Sequence, residues 1–247
     1  MRKRSNSNSN NGIVLLIIFA VLLIGTVDIQ KDFLIDETVQ FSGERSVVVY
    51  LPAVDSDGNG VLATLALEAY AGTGKELINI DKLVFWEDTQ QSIRTAKGVA
   101  EQVTGKSADE LDLVYSITAQ DAAVVGGPSA GAGLTIATIA ILEGREIDNH
   151  VIMTGSVDEF GNIGPVGGIL EKAIAASEVA DLFLIPKGEA ITTYLEPKRE
   201  CAEKSNYIYC EVTYEATEST LGEEVGVDVK EVATIEEAIG YFWDETT

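Results

Sequence analysis

Alternation of apolar and polar residues dominates the first half of the chain. Residues 46–51 are rich in β-branched side chains, and residues 61–67 alternate with a period of two. The run 55–60 between them, Asp-Ser-Asp-Gly-Asn-Gly, has the composition of a tight turn, so this region predicts a β-hairpin. Short apolar runs at residues 83–86 and 113–118 predict two further strands.

Helical periodicity accounts for many of the remaining apolar positions. Residues 89–105 place five apolar side chains on one helical face, namely Ile93, Ala96, Val99, Ala100 and Val103. Residues 130–142 are apolar on all sides, which predicts a buried helix. A third helix is predicted over residues 169–179. A last one begins at Thr234, where Glu237 completes the pattern of a capping box.

The second half of the chain alternates strand and helix signals. Residues 151–154 and 182–185 are short apolar runs typical of buried strands, and residues 157–164 have the composition of a tight hairpin. Residues 196–226 are polar and predict irregular structure. Strands that alternate with helices after residue 110 indicate an α+β fold with α/β-like character.

The N-terminal 40 residues differ in composition from the rest of the chain. Residues 1–11 are basic and then rich in serine and asparagine, which predicts disorder. Residues 12–27 are apolar and uncharged, so we expect a transmembrane anchor, with a cleaved signal sequence as the alternative. We expect residues 28–40 to be a linker and residues 41–247 to be the folded domain.

The charges on the two sides of the apolar segment predict its orientation. Arg2, Lys3 and Arg4 precede the segment, whereas acidic residues dominate behind it. The positive-inside rule then predicts a single membrane pass, with the N-terminus in the cytoplasm and the folded domain outside it.

The formal net charge of −23 narrows the classes of partner. An acidic surface repels a phosphate backbone, so we expect no nucleic-acid partner.

The single histidine, His150, is predicted to be an ordinary loop residue. No His/Cys cluster has metal-ligand spacing, so we expect no metal site. Cys201 and Cys210 are predicted either to form a disulfide outside the cytoplasm or to remain two free thiols.

A glycine-rich segment at residues 71–75, Ala-Gly-Thr-Gly-Lys, is similar to a phosphate-binding loop but lacks the full pattern. Such a loop needs serine or threonine after the lysine to hold magnesium, and Glu76 stands there. We therefore expect no ATP site and no cofactor in this chain. Any ATPase that serves the protein would be a separate chain.

A serine follows a Gly-Gly-Pro turn at the start of the predicted buried helix, in the run Gly-Gly-Pro-Ser-Ala-Gly at residues 126–131. Glycines allow a close backbone approach, Pro128 suits the entry to a helix, and the unpaired N–H groups there can stabilise an oxyanion. Ser129 is therefore a candidate nucleophile. Two other interpretations stay open, an ordinary helix N-cap and a turn that binds phosphate.

Lys172 lies one turn inside the predicted helix 169–179, at the edge of its apolar stripe and beside Ala175 and Ala176. Partial burial among alanines lowers the pKa of an amine, and a neutral amine can act as general base for a serine. The alternative is a lysine whose ammonium group reaches solvent beyond its apolar stem.

Three segments resemble the proteolytic domain of the Lon proteases. They are Gly-Pro-Ser-Ala-Gly at residues 127–131, Met-Thr-Gly-Ser-Val at residues 153–157, and Gly-Asn-Ile-Gly-Pro-Val-Gly-Gly-Ile-Leu-Glu-Lys at residues 161–172. The spacing between Ser129 and Lys172 also matches that family. The resemblance is specific over residues 110–188 and weaker on both sides.

The resemblance implies a Ser-Lys dyad endopeptidase, in which Ser129 attacks the peptide bond and Lys172 takes its proton. It implies that the Thr154 hydroxyl orients the lysine, and that the backbone at Gly127, Pro128 and Ala130 supplies the oxyanion hole. It further implies mixed sheets with packed helices, in a topology similar to the second domain of ribosomal protein S5. The expected partners are unfolded or misfolded polypeptide substrates and other copies of the chain in a ring-shaped homo-oligomer.

The chain also departs from the pattern of the Lon family. Gly126 stands where many members have an acid, Gln91 replaces the usual glutamate of the first helix, and Ser156 replaces the glutamate that often follows Thr-Gly. ATPase and substrate-binding domains are not in this sequence. In these respects the chain resembles the stand-alone, membrane-anchored Lon-like proteins of archaea.

Two alternative functions remain from the sequence. The three departures motivate a catalytically inactive Lon-like binding module. The glycine- and serine-rich turn before a helix also resembles that of small-molecule kinases of the galactokinase and homoserine-kinase (GHMP) type, in which such a turn cradles phosphate.

Overall fold

The structure is a computed structural model that describes residues 44–80, 84–85, 87–119, 124–125, 127–204 and 207–243. The predicted N-terminal disorder, membrane anchor and linker lie outside these described residues. Within them, no helix combines the length and the apolar character needed to cross a membrane. The chain divides into Met1–Gln40, which is outside the described part, and one compact unit, Phe41–Thr247.

The strands of the described residues are, in chain order, β1 (Arg45–Val54), β2 (Gly60–Ala71), β3 (Glu76–Asn79), β4 (Val84–Phe85), β5 (Leu111–Ala119), β6 (Val124–Val125), β7 (Val151–Met153), β8 (Ser156–Val157), β9 (Ile163–Gly164), β10 (Leu182–Pro186), β11 (Ile191–Lys204), β12 (Tyr207–Thr220) and β13 (Asp228–Val232). The helices are α1 (Glu87–Thr104), α2 (Gly131–Glu143), α3 (Ile169–Ala176), α4 (Leu221–Val225) and α5 (Ile235–Phe242). The predicted mixture of sheets and packed helices is confirmed.

A four-stranded sheet of order β1-β2-β5-β3 contains the predicted hairpin. The strands β1 and β2 pair antiparallel, and the Asp55 carboxylate stabilises their turn by accepting the N–H groups of Asp57 and Asn59 at 2.9 and 2.8 Å. The predicted strand at residues 113–118 is confirmed as β5, which pairs antiparallel with β2. Parallel pairing of β3 with β5 was not predicted.

A second sheet, of order β13-β10-β7, is parallel throughout and is called the parallel sheet below. Ile152, Phe183 and Ile185 of its strands are almost completely buried, as the apolar runs predict. Because the strands run the same way, the segments that leave β7 and β10 emerge at one carboxyl edge. This edge carries the candidate site.

Helix α2 forms the centre of the core. Residues 131–142 are all buried, which confirms the prediction of a helix that is apolar on every side. Helix α1 packs against α2 with its predicted apolar face and ends where Gly105 takes a φ of 64°. Helix α3 ends at Ala176, earlier than predicted, because the chain turns there before entering β10.

Two smaller predictions agree largely with the structure: the N-terminal cap of the last helix and the loop position of His150. The Thr234 hydroxyl caps α5 by accepting the Glu237 N–H at 3.2 Å. The Glu237 carboxylate accepts the N–H of Ala233 at 2.8 Å, so the capping box is shifted by one residue. His150 is an exposed loop residue whose Nδ1 lies 3.1 Å from Asp148 Oδ1.

The prediction of irregular structure over residues 196–226 is wrong. Strands β11 and β12 form a two-stranded antiparallel ribbon of 14 residues on each side, followed by α4. In the structure a disulfide joins Cys201 and Cys210, which lie directly opposite each other in the register. Charged side chains interrupt the apolar alternation of both strands, which hides the strand signal in the sequence.

The glycine-rich segment at residues 71–75 binds a carboxylate of the protein itself. Asp112 Oδ1 accepts the backbone N–H groups of Thr73 and Lys75 at 2.8 and 3.1 Å. These two hydrogen bonds hold the pKa of Asp112 below its ordinary value. A side chain at Gly72 would collide with the same carboxylate. The amide groups that a phosphate loop would offer to a nucleotide are therefore already used.

Replacing Asp112 by asparagine should destabilise the fold in a pH-dependent manner. Because the folded-state pKa of Asp112 is lowered, its contribution is complete above the ordinary aspartate pKa and is lost as the pH falls through the lowered value. We expect the melting temperature of Asp112→Asn to fall by a few degrees at pH 7 and to approach that of the wild type in acid. Thermal unfolding over a pH series measures this, with the exposed neighbour Asp109→Asn as control. An equal shift at all pH values would contradict the prediction.

Candidate active site

The serine turn begins at a residue that must be glycine. Gly127 has φ 95° and ψ 149°, a conformation that residues with a Cβ rarely adopt. A single turn of 3-10 helix, Pro128–Ala130, follows, and Gly131 N–H donates to the Pro128 carbonyl. Ser129 lies in this turn and is half-buried. The predicted nucleophile is thus held where the turn enters α2.

Two hydrogen bonds fix the serine turn to the end of β7. The Ser129 carbonyl accepts the Gly155 N–H at 3.0 Å and the Thr154 hydroxyl at 3.3 Å. The Ala132 N–H in turn donates to the Gly155 carbonyl at 3.0 Å. Thr154 is 1% exposed, and its own N–H donates to the Leu184 carbonyl of β10. The serine turn is therefore positioned by the parallel sheet.

Thr154 makes a different contact from the predicted one. Its hydroxyl was expected to orient Lys172, but it donates to the carbonyl of Ser129 because the serine turn packs directly on the end of β7. In the described part of the chain no hydrogen bond joins Thr154 to the lysine. Thr154 thus positions the serine in this structure.

The predicted oxyanion hole is only partly available. Pro128 has no amide hydrogen and cannot donate, so its inclusion among the donors is wrong. The Gly127 N–H donates to the Asp88 carboxylate of α1 at 2.9 Å. The same carboxylate accepts the Thr89 N–H at 2.8 Å through its other oxygen. Ala130 lies in the 3-10 turn itself.

Lys172 is buried on α3, which begins after Gly168 with a φ of 67°. Its side chain is 4% exposed. Loss of solvation by burial lowers the pKa of the Lys172 amine, and the negative charge of Glu189 partly opposes this shift. The structure therefore contradicts the alternative of a lysine that extends into solvent. The helix is held close to the hairpin because Gly60 offers no side chain toward the Glu171 carbonyl.

Glu189 is a functional candidate that sequence reasoning missed. It follows β10, and its Oε1 accepts the Val166 N–H of the loop before α3 at 3.1 Å. Its other oxygen, Oε2, is buried and has no hydrogen-bond partner in the described structure. Asp88 was missed for a similar reason, since both carboxylates act on backbone far away in sequence. The sole sequence signal for Asp88 is its place immediately before the predicted helix 89–105.

Each of the two predicted catalytic residues interacts with a segment that leaves the carboxyl edge of the parallel sheet. Ser129 is attached to the segment that leaves β7, whereas Lys172 lies within the field of Glu189 in the segment that leaves β10. A Cβ added at Gly155 would lie 3.8 Å from Pro186, which brings the two segments together. Within the described residues no hydrogen bond joins the hydroxyl of Ser129 to the amine of Lys172. In unliganded sites such bonds are often long and shorten on substrate binding.

Two of the three departures from the family pattern, Gln91 and Ser156, lie among the described residues. Gln91 is exposed on α1, and Ser156 is half-buried beside Gly164. Gly126 lies outside the described residues.

Across the described residues no group of three His, Cys, Asp or Glu side chains can hold a metal ion.

The sequence pattern of the Lon protease (S16) C-terminal proteolytic domain matches residues 61–204 of this chain. This segment is more than half of the chain and includes the serine turn, Thr154, Lys172 and Glu189. The chain belongs to the Lon protease family. The site geometry therefore belongs to a Lon proteolytic domain.

Individual Lon proteases are similar over the same region. The Lon protease of Methylocella silvestris is 32% identical over 130 residues, which is 52% of this chain and 16% of that protein. The archaeal Lon protease of Methanothermobacter thermautotrophicus is 29% identical over 153 residues, or 60% of this chain and 23% of that protein. The match to the Lon protease of Metamycoplasma arthritidis covers 64% of this chain and 21% of the relative, at 29% identity. The Lon domain described here thus spans about a fifth of the length of these relatives.

Replacing Gly155 by alanine should destabilise the fold around the serine turn. The new Cβ would lie 2.5 Å from Cγ2 of Ile163 and 3.4 Å from Cβ of Ala132, and a β-branched side chain in a packed core cannot move aside cheaply. We expect a loss of about 1–3 kcal/mol in the free energy of unfolding, measured by urea denaturation. Gly167→Ala is the matched control, because nothing lies within 4 Å of its Cβ position. Equal stability of the two variants would refute the packing described for Gly155.

Proposed function

We propose that this Lon domain is a serine endopeptidase that uses a Ser129–Lys172 dyad to hydrolyse peptide bonds in unfolded or misfolded polypeptides. The observation that carries the proposal is the buried amine of Lys172, whose pKa is lowered by desolvation, at the sheet edge that also holds the Ser129 turn. Burial disfavours the ammonium form of Lys172. A larger fraction of the amine is therefore neutral, and only the neutral amine can accept a proton.

In the proposed first step, neutral Lys172 takes the proton of the Ser129 hydroxyl as Oγ attacks the carbonyl carbon of the scissile bond. The tetrahedral intermediate collapses when the lysine returns that proton to the departing amine, which leaves an acyl ester on Ser129. Water then attacks the ester, again with Lys172 as base; the C–Oγ bond breaks, the lysine returns the proton to Ser129 Oγ, and the carboxyl product leaves. No step requires a metal ion or a nucleotide.

Positioning residues hold the two reacting groups in this scheme. Thr154 and Gly155 fix the serine turn through its carbonyl, so the orientation of Ser129 depends on the parallel sheet. Asp88 holds the Gly127 N–H, which must change partner before it can stabilise the oxyanion. Glu189 favours the protonated lysine that forms during each proton transfer.

The setting of the enzyme follows from the sequence and is part of the proposal. Residues 12–27 would anchor the chain, with the N-terminus in the cytoplasm and the peptidase domain outside it. The chain would assemble as a ring-shaped homo-oligomer, bind polypeptide substrates and use no cofactor of its own. A separate ATPase could serve the enzyme as a partner, and nucleic acid would not bind.

Removal of either dyad member should abolish peptidase activity. We expect Ser129→Ala and Lys172→Met each to lower kcat for casein or a peptide by at least ~10³-fold, because each removes an essential group of one unit. Lys187→Met, at an exposed lysine after β10, is the control and should behave like the wild type. Steady-state cleavage assays with matched folded fractions measure the effect. Normal cleavage by both dyad variants would exclude the mechanism.

Replacing Glu189 by glutamine should move the pH dependence of the reaction. The charge of Glu189 raises the pKa of Lys172, so its removal lowers that pKa further, and the acid limb of the kcat/KM profile shifts to lower pH. The amide oxygen of glutamine can still accept the Val166 N–H, which preserves the loop. The control is Glu178→Gln, an exposed position after α3. An unchanged acid limb would show that Glu189 has no effect on the base.

Labelling and thermal-stability experiments distinguish the two alternative functions from the proposed one. A catalytically inactive binding module would not react at Ser129 with a fluorophosphonate, whereas the proposed enzyme would be labelled there. A small-molecule kinase would gain thermal stability with magnesium and ATP. The hydrogen bonds from Thr73 and Lys75 to Asp112 support the view that the glycine-rich segment does not serve a nucleotide.

A further inference from the structure

The ribbon formed by β11 and β12 is the largest feature that the proposed reaction does not use. At about 3.3 Å per residue, its 14-residue strands extend for roughly 45 Å. Seven large apolar side chains on it are between 48% and 71% exposed, namely Ile191, Leu195, Tyr207, Ile208, Tyr209, Val212 and Tyr214. Exposed apolar surface of this extent marks an interaction site rather than ordinary surface.

The strand register puts five of these seven side chains on one face of the ribbon, all except Tyr207 and Tyr209. Residues paired across the two strands share a face, and the pairs on this face include Leu195 with Ala216, Pro197 with Tyr214, and Cys201 with Cys210. We call it the apolar face. It also carries a few charged side chains, Arg199 near its middle and Glu203 and Glu218 toward its ends.

The opposite face of the ribbon is acidic. The register gives it four glutamates, Glu196, Glu200, Glu211 and Glu215, against two lysines, Lys198 and Lys204, and Lys198 is paired with Glu215 at 2.9 Å. We call it the acidic face. In an extended polypeptide that lay beside the ribbon, every second side chain would therefore lie over the apolar face. The side chains between them would lie over the acidic face.

In the described part of the chain, no further strand pairs with either outer edge of the ribbon. Among the described strands, β11 and β12 pair with each other and with nothing else. Their outward backbone N–H and C=O groups can therefore pair with an added extended chain, which is a common mode of peptide recognition. Strand addition also places alternate side chains of the ligand over the two faces of the sheet.

The base of the ribbon adjoins the candidate active site. Strand β11 begins at Ile191, two residues after Glu189, whose charge acts on Lys172. The Leu221 N–H that follows β12 donates to the Ala190 carbonyl at 2.8 Å, which closes the base. A chain that ran along an edge of the ribbon would be led toward the residues proposed for catalysis.

We propose that the ribbon captures substrate polypeptides as an added β-strand and selects extended segments in which apolar residues alternate with cationic ones. This inference rests on the proposed peptidase function for its biological meaning, although binding itself does not require catalysis. The glutamates of the acidic face favour a cationic ligand over the ribbon of a second copy, because two such ribbons side by side would bring glutamates against glutamates.

The disulfide supports the same role. A two-stranded ribbon without a covering layer is marginally stable in water. The bond between Cys201 and Cys210 links directly opposite residues and keeps the two strands paired before a ligand arrives. A preformed edge binds an incoming strand at a lower entropic cost than a disordered loop would.

Binding can be tested on the full chain with Ser129→Ala, so that no ligand is cut. The probes are a fluorescent peptide of alternating valine and lysine, its counterpart with glutamate for lysine, and its counterpart with a proline at every third position. We expect the lysine peptide to bind most tightly in fluorescence anisotropy. The other two should be about tenfold weaker or worse, from charge repulsion and from lost backbone pairing respectively.

Matched variants locate the binding surface. In the Ser129→Ala background, Leu195→Ser with Tyr214→Ser removes two side chains of the apolar face, and Tyr207→Ser with Tyr209→Ser makes comparable changes on the acidic face. We expect the first pair to weaken binding of the lysine peptide about tenfold or more and the second pair to have little effect. In the active enzyme, the first pair should raise KM for an unfolded protein and leave kcat for a short peptide unchanged.

Three outcomes would overturn the proposal. The first is unchanged binding of the lysine peptide by the apolar-face variant, and the second is equal binding of the lysine and glutamate peptides. The third is a lower molecular mass of the apolar-face variant than of the wild type in light scattering, which would show that the face is an interface between copies. Failure of the peptidase function is a separate result. If the wild type cleaves nothing but ribbon-dependent binding persists, the capture site stands without the enzyme.

Discussion

The carbonyl of Ser129 is the point on which the candidate site depends. It accepts the Gly155 N–H and the Thr154 hydroxyl, and through them the serine turn is joined to the end of a buried strand. A nucleophile is useful only in a fixed orientation, and here a backbone group rather than the side chain provides the fixation. The parallel sheet therefore acts as the support of the site, and the absence of a side chain at Gly155 allows the contact.

Burial and charge act in opposite directions on the pKa of Lys172, the proposed base. Solvent exclusion lowers the pKa of Lys172, and Glu189 counteracts part of that effect. A base must be neutral to accept a proton and must also tolerate the cation that results. A carboxylate near a buried amine, without an ion pair to it among the described contacts, meets both demands. The same residue also holds the loop before α3, so the electrostatics and the geometry of the base are coupled.

Much of the fold was predictable because most elements bury one face or all faces, which leaves a periodic pattern in the sequence. This holds for the β1–β2 hairpin, for α1 and for the fully buried α2. The ribbon escaped because solvent lies on both of its faces, so charged residues interrupt the alternation. Asp88 and Glu189 escaped because each binds backbone 39 or 23 residues away, and the sequence carries no signal for such contacts. Ser129 and Lys172 were found through local turn chemistry and a family motif.

If the chain is the peptidase proposed above, the bond between Cys201 and Cys210 has a consequence for its survival. An extended apolar strand in open solution is what such an enzyme digests, and every copy displays one to its neighbours. If the active site of the proposed peptidase takes one extended chain at a time, two strands that are covalently tied together cannot enter it. The cross-link would then protect the ribbon from autolysis, and reducing conditions would expose the ribbon to the proposed activity.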